Sequence, residues 1–239
     1  MKTLGLIGGI GPESTIEYYR LIVAAYRDKN PKRAYPRVII NSINLQQYLE
    51  WINANEMENF TAALVLEIER LSRAGADFAA LASNTPHIVF DELQRRSSLP
   101  LISIVQATCE RVKELGLKKV GLFGTRFTMQ GRFYPEVFSR AGIELVVPDE
   151  TEQTYIHEKY MGELLNDMFL PKTRERMLEI ADELRTRKGI EGLILGGTEI
   201  PLLIRPEIFP EGGRNGIRFF DTTRIHVERL VQELLTETK

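Results

Sequence analysis

Short apolar runs alternate with longer amphipathic stretches along the whole chain. Leu4–Ile7, Val38–Ile43, Phe78–Ala82, Lys119–Phe123, Glu144–Val147, Gly192–Leu195 and Ile217–Phe220 are too short for helices and mainly aliphatic, the pattern of strands covered on both faces. A further short strand is expected at Leu101–Ile104. Between the strands, apolar residues recur three and four apart, as with Ile16, Tyr19, Ile22 and Ala25, or Phe60, Leu64, Ile68 and Leu71. These spacings predict helices over 12–27 and 57–73. Others are expected over 45–52, 86–95, 105–115, 129–141, 153–168 and 173–188, with a last one after Asp221 that turns Val227, Leu230, Val231 and Leu234 inward. Strand and helix alternating from end to end predict a parallel α/β protein.

Two of the strands break in the same way. Phe78–Ala82 runs into Ser83-Asn84-Thr85-Pro86-His87, and Gly192–Leu195 into Gly196-Gly197-Thr198-Glu199-Ile200-Pro201. Ligands of parallel α/β proteins sit outside the carboxyl ends of strands, where such breaks fall. The halves also repeat. Leu6-Ile7-Gly8-Gly9 with Tyr18-Tyr19 downstream parallels Leu122-Phe123-Gly124-Thr125 with Phe133-Tyr134, Gly8 and Gly124 being 116 residues apart, and Thr85 to Thr198 spans a similar 113. A tandem duplication produces such agreement. The expected architecture is two pseudo-symmetric parallel-sheet α/β domains, 1–103 with 217–239 and 104–216, with the site in the cleft between them.

Composition narrows the partners. With a formal net charge of -2 over 239 residues, neither nucleic acid nor an anionic membrane is expected. A single cysteine, Cys109, excludes an internal disulfide, and the opening residues carry no export-signal pattern, so a cytoplasmic location is expected. No run approaches a membrane span. His87, His157 and His226 lack metal-ligand spacing, so no metal site is expected. The loop Gly9-Ile10-Gly11-Pro12-Glu13-Ser14 invites a dinucleotide reading but lacks the third glycine, and Asn41 and Asn44 stand where an acid should end the second strand. No Gly-Lys-Ser/Thr phosphate loop occurs, and no cofactor is expected.

The candidate chemistry is that of a small carboxylate. Thr85, Thr125 and Thr198 set hydroxyls beside helix N-terminal amides, which attract and bond an anion; each threonine alone is more often an N-cap. His87 lies four residues past Ser83, so on a helix that starts promptly its imidazole reaches the hydroxyl; an isolated histidine more often only packs. Glu199 is either a helix-start acid or a base set one step back from the ligand. Asp221 reads as a cap, Cys109 as core filler, and Trp51 and Tyr18-Tyr19 as packing.

Jointly, Gly8-Gly9-Ile10-Gly11-Pro12-Glu13-Ser14-Thr15, Ser83-Asn84-Thr85-Pro86-His87, Gly124-Thr125-Arg126-Phe127-Thr128-Met129, Gly197-Thr198-Glu199 and Phe220-Asp221-Thr222-Thr223-Arg224-Ile225-His226 resemble the aspartate/glutamate racemase superfamily, in order over essentially the whole chain. The resemblance implies pyridoxal-phosphate-independent enzymes, commonly homodimers, in which one thiol from each domain works one face of the substrate Cα. It implies that Asn84, Thr85, Thr125 and Thr198, with Gly9 and Thr128 in the same motifs, hold an amino acid or dicarboxylate.

The sequence departs at both thiols. Ser83 and Gly197 occupy the two cysteine positions. A serine hydroxyl is a far weaker acid than a thiol and needs an adjacent base, and glycine supplies nothing. Two-thiol racemisation is excluded. Three readings follow: an enzyme with rearranged chemistry using Ser83 with His87 on one face and Glu199 or water on the other, including a one-base lyase or decarboxylase; a non-catalytic carboxylate binder; or a protein acting through its surface. The segment Asn41–Tyr48, where a basic residue for an acidic substrate is expected, is neutral, with Arg126 and Lys172 as substitutes by position only. The absent side chain at Gly197 is expected to enlarge the pocket.

Overall fold

In the computed structural model, which describes residues 2–30, 34–209 and 213–236, the apolar runs of the first hundred residues become β1 (Thr3–Gly8), β2 (Arg37–Ser42) and β3 (Phe78–Leu81). They form one parallel sheet in the order β2-β1-β3. β1 and β3 are buried throughout, while β2, at the edge, is partly exposed. Around them lie α1 (Pro12–Lys29), α2 (Leu45–Asn53), α3 (Met57–Arg73) and α4 (Phe90–Arg96). Pro12 at the start of α1 gives up an amide that has no partner there anyway, and Glu13 suits the positive helix end. α3 buries Phe60, Leu64, Ile68 and Leu71, the stripe its spacing predicts. Leu4, Leu6, Tyr18 and Ile22 share a core with Val227, Leu230 and Val231 of the closing helix.

The second half adds α5 (Ile104–Glu114), β4 (Lys119–Gly124), α6 (Arg126–Gln130), α7 (Phe133–Arg140), β5 (Glu144–Val146), α8 (Glu150–Gly162), α9 (Pro171–Lys188), β6 (Gly192–Gly196), α10 (Ile200–Ile204), β7 (Arg218–Asp221) and α11 (Thr222–Leu235). Its sheet is parallel in the order β5-β4-β6-β7. The first three strands repeat the β2-β1-β3 order of the other sheet, as a duplication requires. Ile156, Tyr160, Leu195 and Ile200 belong to its core.

The chain divides into two compact units, one reaching Ile104 and resuming at His226, the other Val105–Ile225. The strand at 217–220, expected with the first domain, pairs with β6 through Leu193–Phe219 and Ile194–Phe220 and belongs to the second. Other expectations shift locally. The strand at 101–104 shrinks to one bridge, Leu101 with Ala79, because Ile104 already begins α5. The helix over 86–95 opens as a 3-10 turn, Thr85–Val89. That over 129–141 is two helices, interrupted where Gly131 is extended. α8 starts a turn early because Asp149 and Glu152 form a reciprocal capping box, and Asp167, in left-handed conformation, closes the 3-10 turn that follows it. The stretch 206–215, rich in Pro and Gly, is expected from its composition to be a loop, and its residues 210–212 lie outside the described residues.

Candidate functional site

In the first unit, the ends of β1 and β3 bring two loops to one sheet edge. Ile7 pairs with Leu81, and the Ala82 amide donates to Ile7 O at 2.9 Å. Gly9 and Ser83-Asn84 therefore leave neighbouring strands. Gly9 has φ +81°, and a Cβ there would stand 2.4 Å from Ile43 O, so only glycine fits. Its amide donates to Thr15 Oγ1 at 2.8 Å; the loop's own helix satisfies it.

Ser83, Asn84 and His87 are buried, and Thr85 is half-buried. His87 meets the backbone of Ser83 and Asn84. Ser83 precedes a 3-10 turn, so the one-face relation of an α-helical first turn does not arise. Instead the Ile104 amide donates to His87 Nε2 at 3.3 Å, and the ring stacks on Phe90 at 4.8 Å. With Nε2 accepting, the proton of the neutral ring sits on Nδ1. Burial, then the neighbouring His226, pushes His87 down to about 3. His226 lies in the same interior, with Nδ1 2.8 Å from Tyr18 Oη and Nε2 3.0 Å from Ile102 O. Its pKa is pushed down to about 4, chiefly by burial. Tyr18 packs as expected; Tyr19 is exposed.

In the second unit Gly124 pairs with Gly196, so Thr125 and Gly197-Thr198-Glu199 also leave neighbouring strands at one edge. Thr125 is the N-cap of α6: its Oγ1 accepts from the Thr128 amide and lies 3.2 Å from Thr128 Oγ1. The Arg126 amide donates to His157 Nδ1 at 3.2 Å, and the Arg126 side chain is exposed, as is Lys172. Thr198 Oγ1 donates to Glu199 Oε2 at 2.9 Å. Asp221 caps α11 by accepting from the Arg224 amide at 3.1 Å. Buried Cys109 has its thiol pushed up by burial and packs as filler.

The expected enlargement at Gly197 is not there. A Cβ on Gly197 would meet Tyr160 Cε2 at 2.4 Å, Tyr160 Cζ at 3.1 Å and Ile200 Cδ1 at 3.3 Å. The ring of Tyr160, from α8, occupies that space, and its hydroxyl donates to Glu199 Oε2. Tyr160 is 5% and Glu199 1% exposed. Burial, then the Glu199 carboxylate, pushes the phenol well above its ordinary range, so Tyr160 stays protonated. Sequence reasoning missed Tyr160 because its spacing from Ile156 reads as core. The signal available was the glycine itself, since the space beside a glycine in a close-packed interior is filled by a neighbouring side chain.

Among the described residues no three His, Cys, Asp or Glu are grouped to hold a metal ion, and no helix is long and apolar enough to cross a membrane.

A family model described as Asp/Glu/Hydantoin racemase matches residues 7–230. The broad specificity amino-acid racemase RacX of Bacillus subtilis is 30% identical over 158 residues, 63% of this chain and 66% of that protein. An aspartate racemase homologue from Pyrococcus horikoshii is 36% identical, with a TM-score of 0.82 over 98% of this chain and 99% of that one. Picrophilus torridus aspartate racemase, 21% identical, shares the fold with a TM-score of 0.78 over 100% and 96% of the two chains.

Proposed function

The chain belongs to the Asp/Glu/hydantoin racemase family, and from that premise we propose that it is a cofactor-independent amino-acid isomerase. Its substrate is a small amino acid of the aspartate/glutamate kind. Asn84 and Thr85 hold that ligand from one unit, and Thr125, Thr128 and Thr198 from the other, with Gly9 shaping the loop beside Ser83. The observation that supports this most is that the residues at issue follow strands paired at their carboxyl ends in each sheet, the place where α/β proteins bind ligands. The proton chemistry is altered, because Ser83 and Gly197 replace two thiols.

A second reading, a carboxylate binder without catalysis, draws on the commitment of His87 Nε2 to the Ile104 amide, which leaves Ser83 without that base. Thermal shift with a panel of L- and D-amino acids tests binding. A ligand that stabilises the wild type but neither Thr85→Val nor Thr198→Val supports a site built from both units. Stabilisation of both variants equal to wild type sinks it. Solvent deuterium entering Cα then separates isomerase from binder.

A further inference from the structure

Gly197 and Tyr160 are complementary: the ring lies where the side chain at 197 would begin, and the phenol oxygen hangs one bond beyond Cζ, the atom 3.1 Å from that point. Filling space needs only a ring. The hydroxyl adds a proton and a buried carboxylate to receive it, since Tyr160 and Thr198 both donate to Glu199 Oε2. A hydroxyl carried into a buried site is costly unless bonded, and so is a carboxylate; each answers the other's requirement.

We propose that Tyr160, hydrogen-bonded to Glu199, is the proton-transfer group of the second unit and takes the place of the absent thiol. The proposal rests on the reading that this protein handles the Cα proton of an amino acid. Tyr160 is not a standing phenolate, because burial, and then the carboxylate beside it, oppose that charge. The step is a relay. The Cα proton passes to the phenol oxygen while the phenol's own proton passes to Glu199 Oε2. The Cα–H bond and the original O–H bond break; a new phenol O–H and a carboxyl O–H form. The electron pair stays at Cα, delocalised into the substrate carboxylate, and the reverse relay returns a proton. Tyrosine is neutral before and after.

The test uses the full chain as wild type, Tyr160→Phe and Glu199→Gln. Each is incubated with L- and D-amino acids in D2O, following Cα–H by proton NMR and ligand stabilisation by thermal shift. The expected result is exchange by the wild type, and a loss of about 100-fold or more in kcat with little change in KM for Tyr160→Phe, which keeps the ring but not the proton. Wild-type exchange rates in folded Tyr160→Phe overturn the relay and leave the family reading standing. A wild type that is stabilised by an amino acid yet exchanges nothing overturns the relay and leaves binding. A wild type neither stabilised nor exchanging overturns both. Should Tyr160→Phe fail to fold, Glu199→Gln, which retains an acceptor for the phenol, carries the same comparison.

Discussion

Tyr160 Cε2 lies 2.4 Å from where a Cβ on Gly197 would stand. Real carbon atoms do not approach so closely, so a side chain at 197 and the Tyr160 ring in its present place exclude one another. The first consequence is for stability. Gly197→Cys is expected to destabilise the protein by about 1–3 kcal/mol through overpacking. The same cysteine should cost less in a Tyr160→Ala background, where the ring is gone. Urea unfolding of the four proteins in a double-mutant cycle measures the coupling, and strictly additive effects would contradict the shared space.

Installing thiols at 83 and 197 should therefore not suffice for thiol-based racemisation. Ser83→Cys with Gly197→Cys leaves the second thiol competing with the Tyr160 ring. The triple variant that adds Tyr160→Leu is expected to racemise an amino acid faster than the double variant, read by polarimetry. Equal rates in the two would show that the ring yields freely.

Acid should weaken the fold through its buried histidines. His87 and His226 have folded values of about 3 and about 4, below the ordinary value of 6.5. Between those limits the unfolded chain binds more protons, so stability rises with pH. It is complete above 6.5 and lost as pH falls toward 4 and 3, at up to about 1.4 kcal/mol per pH unit for each histidine. Urea midpoints at pH 7.5 and pH 5 check this: the wild type should lose more than His226→Gln, and equal losses would contradict it.

Gly9→Ala combines a left-handed backbone with a Cβ 2.4 Å from Ile43 O. The cost is expected to be about 1–3 kcal/mol, measured as a lower thermal midpoint. An unchanged midpoint would mean that the loop moves aside without penalty.

Much of this was readable beforehand, for physical reasons that also set the limits. Strands buried on both faces must be continuous apolar runs, so β1, β3, β4 and β6 stood out. The same burial leaves no mark of partnership, and β7, only Arg218–Asp221, carries nothing that says which sheet it joins. The Gly-Thr-Glu turn after β6 reads as a candidate site from the sequence alone. Tyr160 does not, because its relation to Gly197 spans 37 residues and depends on how α8 packs over a strand end. The one-face relation expected of Ser83 and His87 assumes an α-helical first turn, and the backbone at Thr85 begins a 3-10 turn instead.

The most direct test of the central claim is deuterium entry at Cα when the wild-type protein meets L- and D-amino acids in D2O, with the enantiomer ratio followed alongside. The account predicts exchange and inversion for a defined small amino acid, without added cofactor. Full retention of Cα–H across the panel, by a folded protein that an amino acid stabilises, would contradict it and leave a binder on a racemase fold.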